Sequence, residues 1–221
     1  MKQNLFLIIT LAFVFTACVR TDKAYFDNGK LKSEIKYKGD LLHGTSIWYY
    51  ESGKKQLEFN YQNGNMEGPS RRWFLNGQLE SEEFYVRNQK QGPETHFLEN
   101  GIRVSKAHFF ENQLHGPYFE WFDNGVVRIE GSYNHGLFDS TWNYYNFRGI
   151  LIGNAKFENG NGTHQVWSLD GKLLRETLYQ NNLKHGPEMV FDKNGSVVKT
   201  YIYEHGELIP TPGATDKKLD R

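Results

Sequence analysis

The 221-residue chain has one cysteine, six prolines and no excess of charge of either sign. A single thiol excludes an internal disulfide, even on an export route that would permit one. Prolines are few beside 22 glycines, so tight turns are the main punctuation. The 26 basic and 26 acidic side chains are spread evenly, which leaves no electrostatic footprint for nucleic acid. Also missing are a Gly-x-Ser-x-Gly elbow, a phosphate-binding loop and a His-Glu-x-x-His pair, so no catalytic residues and no cofactor are expected. With 38% hydrophobic and 24% charged residues, the chain is neither disordered nor a polytopic membrane protein.

The one long apolar stretch, Leu5 to Ala17, follows Lys2 and is too short to span a bilayer. It fits the hydrophobic region of a signal peptide. The tetrad Phe15-Thr16-Ala17-Cys18 resembles the bacterial lipobox, with Phe15 where leucine is more usual. That resemblance implies a diacylated Cys18 as the first mature residue. The expected organisation is a signal peptide over 1–17, a lipidated linker over 18–24, a repeat domain over 25–209 and a polar tail over 210–221. The expected location is the cell envelope, lipid-anchored to a bacterial membrane, on the periplasmic or surface side of the outer membrane.

What the chain has in abundance is aromatic residues, 15% of the total, placed on a period. Turn glycines stand at Gly29, Gly53, Gly77, Gly101, Gly125, Gly149, Gly171 and Gly195, in steps of 24 with a single step of 22. Asn-Gly dominates these turns, a strong hairpin signal. A second series nine residues earlier reads Gly44, Gly68, Gly92, Gly116, Ser140, Gly162 and Gly186. A further turn lies eleven residues after each turn glycine, at Asp40, Gly64, Asn88, Asn112, Gly136, Gly160, Asn182 and Gly206, types that tolerate positive φ. The short step is assigned to this loop, at Asn159-Gly160-Asn161-Gly162.

Two aromatic ladders run in phase. Four residues before the turn glycine stand Tyr25, Tyr49, Trp73, Phe97, Trp121, Tyr145, Trp167 and Phe191; eight residues after it stand Tyr37, Tyr61, Tyr85, Phe109, Tyr133, Phe157, Tyr179 and Tyr203. A three-residue loop with the glycine as a bulge would bring both ladders to one face, joined by Leu31, Leu79, Val127, Leu151, Leu173 and Val197. The other face would carry Glu34, Glu58, Glu82, Glu130 and Glu176 toward solvent. The pattern predicts an all-β, elongated, twisted antiparallel sheet of eight hairpins and about sixteen short strands, roughly 75 Å long at the usual strand spacing.

The unit from Gly116 to Tyr133, Gly-Pro-Tyr-Phe-Glu-Trp-Phe-Asp-Asn-Gly-Val-Val-Arg-Ile-Glu-Gly-Ser-Tyr, and its counterparts resemble the MORN-repeat variant of YwqK-like proteins. That resemblance implies a sheet that grows by hairpins and an antitoxin-like or immunity-like role.

Three histidines, His43, His115 and His185, precede lead glycines in separate repeats, too far apart to share a metal ion. The strongest departure from the repeat lies between Gly136 and Phe157, where Trp142, Tyr144 and Phe147 add aromatics. They read either as local core or as a partner-binding patch. The leading expectation is a non-catalytic protein-interaction scaffold with an unidentified protein partner and a membrane lipid anchor. The alternative is a carbohydrate or cell-wall module that stacks glycans on an exposed aromatic strip, which exposure of Trp73, Trp121 and Trp167 would decide.

Overall fold

The computed structural model describes residues 18–210, and among them every regular element is a strand. Eight hairpins follow one another in a single open antiparallel sheet: Val19–Tyr25 with Leu31–Lys38, Gly44–Tyr49 with Lys55–Gln62, Gly68–Trp73 with Leu79–Val86, Gly92–Phe97 with Arg103–Phe110, Gly116–Trp121 with Val127–Asn134, Leu137–Tyr145 with Leu151–Glu158, Asn161–Trp167 with Leu173–Gln180, and Leu183–Phe191 with Val197–Glu204. A short strand, Glu207–Ile209, closes the described chain. Residues 19–24, expected as a linker, form most of the first strand, pairing Val19 with Lys38 and Ala24 with Ser33. The strand that the ladder residue Tyr25 announces thus begins six residues earlier, where no lead glycine marks its start.

All eight Asn-Gly-type turns share one geometry. The turn glycine N–H donates to the carbonyl three residues back, and that same residue's N–H donates to the carbonyl after the glycine, as in Gly53 to Tyr50 at 2.8 Å and Tyr50 to Lys54 at 2.9 Å. Three residues lie between the bonded pair, and the glycine takes a positive φ, +89° at Gly53. The expected three-residue loop is therefore present. Asparagine recurs before the glycine because its Oδ1 accepts the N–H of the residue after the glycine: Asn28 from Lys30, Asn76 from Gln78, Asn100 from Ile102 and Asn124 from Val126.

The sharing of one face by both aromatic ladders does not hold. Each hairpin carries a second bulge three residues after its turn glycine. Trp48 faces Leu57 while Tyr49 faces Lys55, so Gln56 is extra, and the same shift occurs in all eight. One extra residue reverses the inward and outward assignment of everything beyond it. Tyr61 thus lies opposite Gly44 on one face with Phe59 and Trp48. Tyr49 lies on the other with Glu34, to which its hydroxyl donates. We call these the tyrosine face and the glutamate face.

A single row crosses the glutamate face with one residue from each of the sixteen hairpin strands: Lys23, Glu34, Ile47, Glu58, Arg71, Glu82, Thr95, Lys106, Phe119, Glu130, Asn143, Asn154, Gln165, Glu176, Met189 and Thr200. On the tyrosine face large residues sit opposite small ones: Phe59 opposite Ser46, Tyr118 opposite Gly131, Trp142 opposite Ala155. The one compact cluster forms there, from Trp142, Ala155 and Phe157, with Tyr118, Ile129, Tyr133, Phe138, Tyr144 and Tyr179 packed around it. The Trp142 ring occupies the space a side chain at Gly131 would need.

The opposite sheet edge is built from two-residue turns in which both residues have positive φ, such as Asn63 and Gly64 or Arg87 and Asn88. This is the primed turn that matches strand twist. At the first of them Gly39, not Asp40, takes the positive φ. Each turn then stacks on the one before. The second turn residue donates its N–H to a carbonyl at or just after the preceding turn, as Gly64 does to Leu42 at 2.8 Å, Gly136 to Leu114 at 2.8 Å and Asn182 to Gly160 at 2.9 Å. To reach this position the strand pairing jumps by two at the lead glycine: Tyr37 faces Leu42, yet Glu34 faces Ile47. In the seventh hairpin no such jump occurs, and Gly153 to Glu158 pair with Val166 to Asn161 in unbroken register. The two missing residues are hence those of the lead-glycine jump, while the turn Asn159-Gly160 is intact.

Candidate interaction surface

The glutamates of the glutamate face are paired rather than solvated. Glu34 accepts from Lys23 at 2.8 Å; Glu58 bridges Lys55 at 2.6 Å and Arg71 at 3.1 Å; Arg71 continues to Glu82 at 2.7 Å. Farther along, Glu130 accepts from Tyr145 at 2.6 Å and Asn143 at 3.0 Å, and Glu176 from Gln165 at 2.7 Å. Burial disfavours the charged form of Glu58, but the bonds from Lys55 and Arg71 outweigh it and hold its carboxyl below the usual range. Pairing at the repeated position is what allows acidic side chains to stand in a row.

The aromatic ladder of this face, Tyr49, Trp73, Phe97, Trp121, Tyr145, Trp167 and Phe191, is half-buried along its length. The residues between its rungs are Lys55, Leu79, Arg103, Val127, Leu151 and Leu173. The Lys55 ammonium lies 5.3 Å from the Trp73 ring centre and the Arg103 guanidinium 5.0 Å from that of Trp121. Two of the three ladder tryptophans, Trp73 and Trp121, thus have a cation over the ring, and Trp167 is half-buried.

The tyrosine face carries two charged clusters. Lys90 lies 3.2 Å from Glu83 and 2.7 Å from Glu94, and His96 lies 3.3 Å from Glu94. The bond from His96, and then Lys90, pull Glu94 down to about 2 against the opposing effect of burial. Glu188, buried, accepts from Thr177 at 3.0 Å and from Lys184. Beside this second cluster the His164 ring lies against the Tyr144 ring, tilted by 37° with centroids 4.5 Å apart. Burial pushes His164 down, and its Nε2 has no hydrogen-bond partner.

The histidines before the lead glycines have a structural role. His43 Nδ1 accepts the N–H of Asn63, His115 Nδ1 that of His135, and His185 Nδ1 that of His205, at 3.4 to 3.5 Å. Glu67, Gln91, Asp139 and Asn161 perform the same service in the other repeats. The position selects a hydrogen-bond acceptor that ties one turn to the next. Among the described residues no group of three or more His, Cys, Asp or Glu side chains is placed to hold a metal ion.

The structure does not bring Trp142, Tyr144 and Phe147 together. Trp142 is 3% exposed, its Nε1 donating to the carbonyls of Ser132 and Asp139, both at 3.1 Å. Tyr144 is half-buried on the same face. Phe147 is 60% exposed at the tip of the sixth turn. It belongs to a different feature: Phe147, Ile150, Leu151, Leu169 and Leu174 are all exposed, and all lie on the turn edge of the sixth and seventh hairpins. Phe147 and Leu169 share one repeat position, two residues before the turn glycine, and Ile150, Leu151 and Leu174 stand one, two and three residues after it. Cys18 is exposed and directly precedes the first strand, and no helix among the described residues is long and apolar enough to cross a membrane.

The MORN repeat variant family matches residues 23–38, 42–63, 66–87, 114–135 and 160–181, which are the first, second, third, fifth and seventh hairpins. No curated protein matches the chain. MORN repeats are generally modules for interaction with proteins or membranes. The fourth, sixth and eighth hairpins keep the same turn bonds and the same bulge. Five hairpins therefore match the MORN repeat variant, and three more repeat its architecture without its signature.

Proposed function

We propose that this protein is a non-catalytic, membrane-anchored lipoprotein that presents its sheet to a protein partner, in the manner of an immunity protein or antitoxin. The observation that carries the reading is the group of exposed apolar side chains that forms a rim on the turn edge of the sixth and seventh hairpins, Phe147, Ile150, Leu151, Leu169 and Leu174. Apolar side chains concentrated on one edge are costly to leave in water and serve association. Acylation at Cys18 would hold the first strand at the membrane with no spacer and leave the rim, five hairpins farther along, away from it. The half-buried ladder favours this reading over glycan stacking.

Photo-crosslinking residues placed at Phe147 and Leu169, and at Tyr61 as a control on the tyrosine face, test it in intact cells. The expectation is one shared adduct from the two rim sites and none from Tyr61. Adducts from Tyr61 alone would move the binding surface to the other face.

A further inference from the structure

The two halves of the turn edge are capped by different residues. In the first, third, fourth and fifth hairpins the asparagine before the turn glycine accepts the N–H of the residue after it, and in the second Ser52 Oγ does so at 3.5 Å. From the sixth hairpin on, that N–H goes instead to the residue three before the glycine. Ile150 donates to Asn146 Oδ1 at 3.1 Å, Lys172 to Ser168 Oγ at 3.1 Å and Ser196 to Asp192 Oδ1 at 2.9 Å. The earlier hairpins carry Phe26, Tyr50, Phe74, Leu98 and Phe122 there, of which only Tyr50 has a side-chain oxygen, and it donates to the Trp73 carbonyl. The residue before the glycine is thereby released from capping in the last three hairpins, and only in the eighth is it an asparagine, Asn194.

That release matters because Asn-Gly is a reactive pair: a glycine nitrogen, with no Cβ beside it, can attack the amide carbon of the asparagine before it. The chain has eight such pairs. Asn28, Asn76, Asn100 and Asn124 are held through Oδ1, and Asn76 and Asn124 also donate Nδ2 to the carbonyls of Glu99 and Phe147 at 2.8 and 2.9 Å. Asn159 accepts from Asn134, and Asn161 from Asn181. No described residue bonds the Asn63 side chain, but Gly64 after it is locked into the turn stack, its N–H 2.8 Å from the Leu42 carbonyl. Asn194 is exposed, and among the described residues no group bonds its side-chain amide. The bond from the Gly195 N–H to the Asp192 carbonyl, at 3.1 Å, is also the longest of the eight turn-glycine bonds.

We propose that Asn194 is a site of spontaneous modification, converted by water to aspartate and isoaspartate ahead of every other asparagine in the folded chain. The Gly195 nitrogen loses its proton to solvent base and bonds to Asn194 Cγ. The Cγ–Nδ2 bond breaks, and Nδ2 takes up a proton and leaves as ammonia. Water then opens the cyclic imide that remains. Addition at Cγ gives aspartate; addition at the backbone carbonyl gives isoaspartate, with the chain continuing through the side chain. Nothing is oxidised or reduced. The new carboxylate stands on the turn edge one hairpin beyond Leu169 and Leu174 of the rim.

The test incubates the purified full chain carrying Cys18→Ser, which removes the thiol and any acyl anchor, at mildly alkaline pH, both folded and in urea. Each Asn-Gly pair is followed by peptide mass spectrometry after digestion in acid. In the folded chain Asn194 is expected to convert about three- to tenfold faster than Asn28, Asn76, Asn100 or Asn124, the factor that loss of one hydrogen bond allows. In urea the pairs are expected to converge, because the bonds that separate them are gone. Asp192→Phe gives the eighth turn the residue that the fifth carries at Phe122, returns the cap to Asn194, and is expected to slow its conversion by the same factor. Should circular dichroism show that this variant loses its fold, the converse exchange Phe122→Asp replaces it and is expected to accelerate Asn124. Folded conversion at Asn194 no faster than at those four asparagines overturns the proposal. So does a lead for Asn63, an Asn194 lead that persists unchanged in urea, or a folded exchange variant that leaves its asparagine at the parent rate.

Discussion

Trp142 and Phe147 stand five residues apart and behave as opposites. The Trp142 ring fills the space above Gly131, faces Ala155 and bonds two carbonyls through Nε1. Trp142→Ala should cost about 3 to 5 kcal/mol through lost burial and the cavity left behind, while Phe147→Ala should stay within about 0.5 kcal/mol. Urea titration of the two variants checks both. Glu94 supplies a pH dependence. Its folded carboxyl lies below its unfolded value, so its stabilisation is fully present above 4.5 and is lost as pH falls toward about 2. Glu94→Gln should flatten the acid limb of the stability curve in that window, and an unchanged limb would show that the Lys90 and His96 contacts contribute nothing. At His115 the requirement is an acceptor, not an imidazole. His115→Gln should be close to neutral, and His115→Ala should lose about 0.5 to 1.5 kcal/mol by leaving the His135 N–H without its partner.

The unit of construction is a hairpin whose two edges are tied to their neighbours by different devices. Along the primed-turn edge each turn docks on the preceding one, and the deletion in the seventh hairpin tightens that stack. Asn182 there accepts from the Phe138 N–H at 2.7 Å and donates to the Gly136 carbonyl at 2.8 Å, reaching two turns back. Gly160 lies between. Its φ is +80°, and an added Cβ would lie 2.9 Å from Asn182 Oδ1, whereas nothing stands within 4 Å of one at Gly136. Gly160→Ala should therefore cost more than Gly136→Ala, by about 1 to 2 kcal/mol, since both incur the same left-handed strain but only one also meets a neighbour. Equal thermal shifts would contradict the turn stack. Much of this element was legible in the sequence. Asn-Gly and the glycine period announced the loops, their length and the sheet. The second bulge left no trace, because Lys32, Gln56, Glu80, Val104, Arg128, Ile152, Leu174 and Val198 share no chemistry, and a bulge that needs no positive φ asks for none. That one silent residue per hairpin moved a whole aromatic ladder to the other face. The rim escaped for a related reason: exposure depends on which strand neighbours a side chain, and the repeat pattern does not encode it.

As a whole the molecule is a layer rather than a globule. Only Ala107, Trp142, Ala155 and Phe157 are buried among its described hydrophobic residues, so stability is close to a sum of neighbour terms. Such a sheet offers long surfaces on both faces and along both edges. Anchoring has its own test: Cys18→Ser should release the protein from the membrane fraction, because acyl chains supply the anchoring energy, and full retention after signal cleavage would contradict the anchor. The claim that the rim binds is tested most directly by titrating the partner captured at Phe147 against the purified chain and against the Phe147→Asp, Leu169→Asp variant. The account predicts affinity at least about tenfold weaker, the loss of roughly 1.4 kcal/mol or more expected when buried apolar anchors are replaced by charge, with an unchanged melting temperature. Equal affinity for the two chains would contradict it.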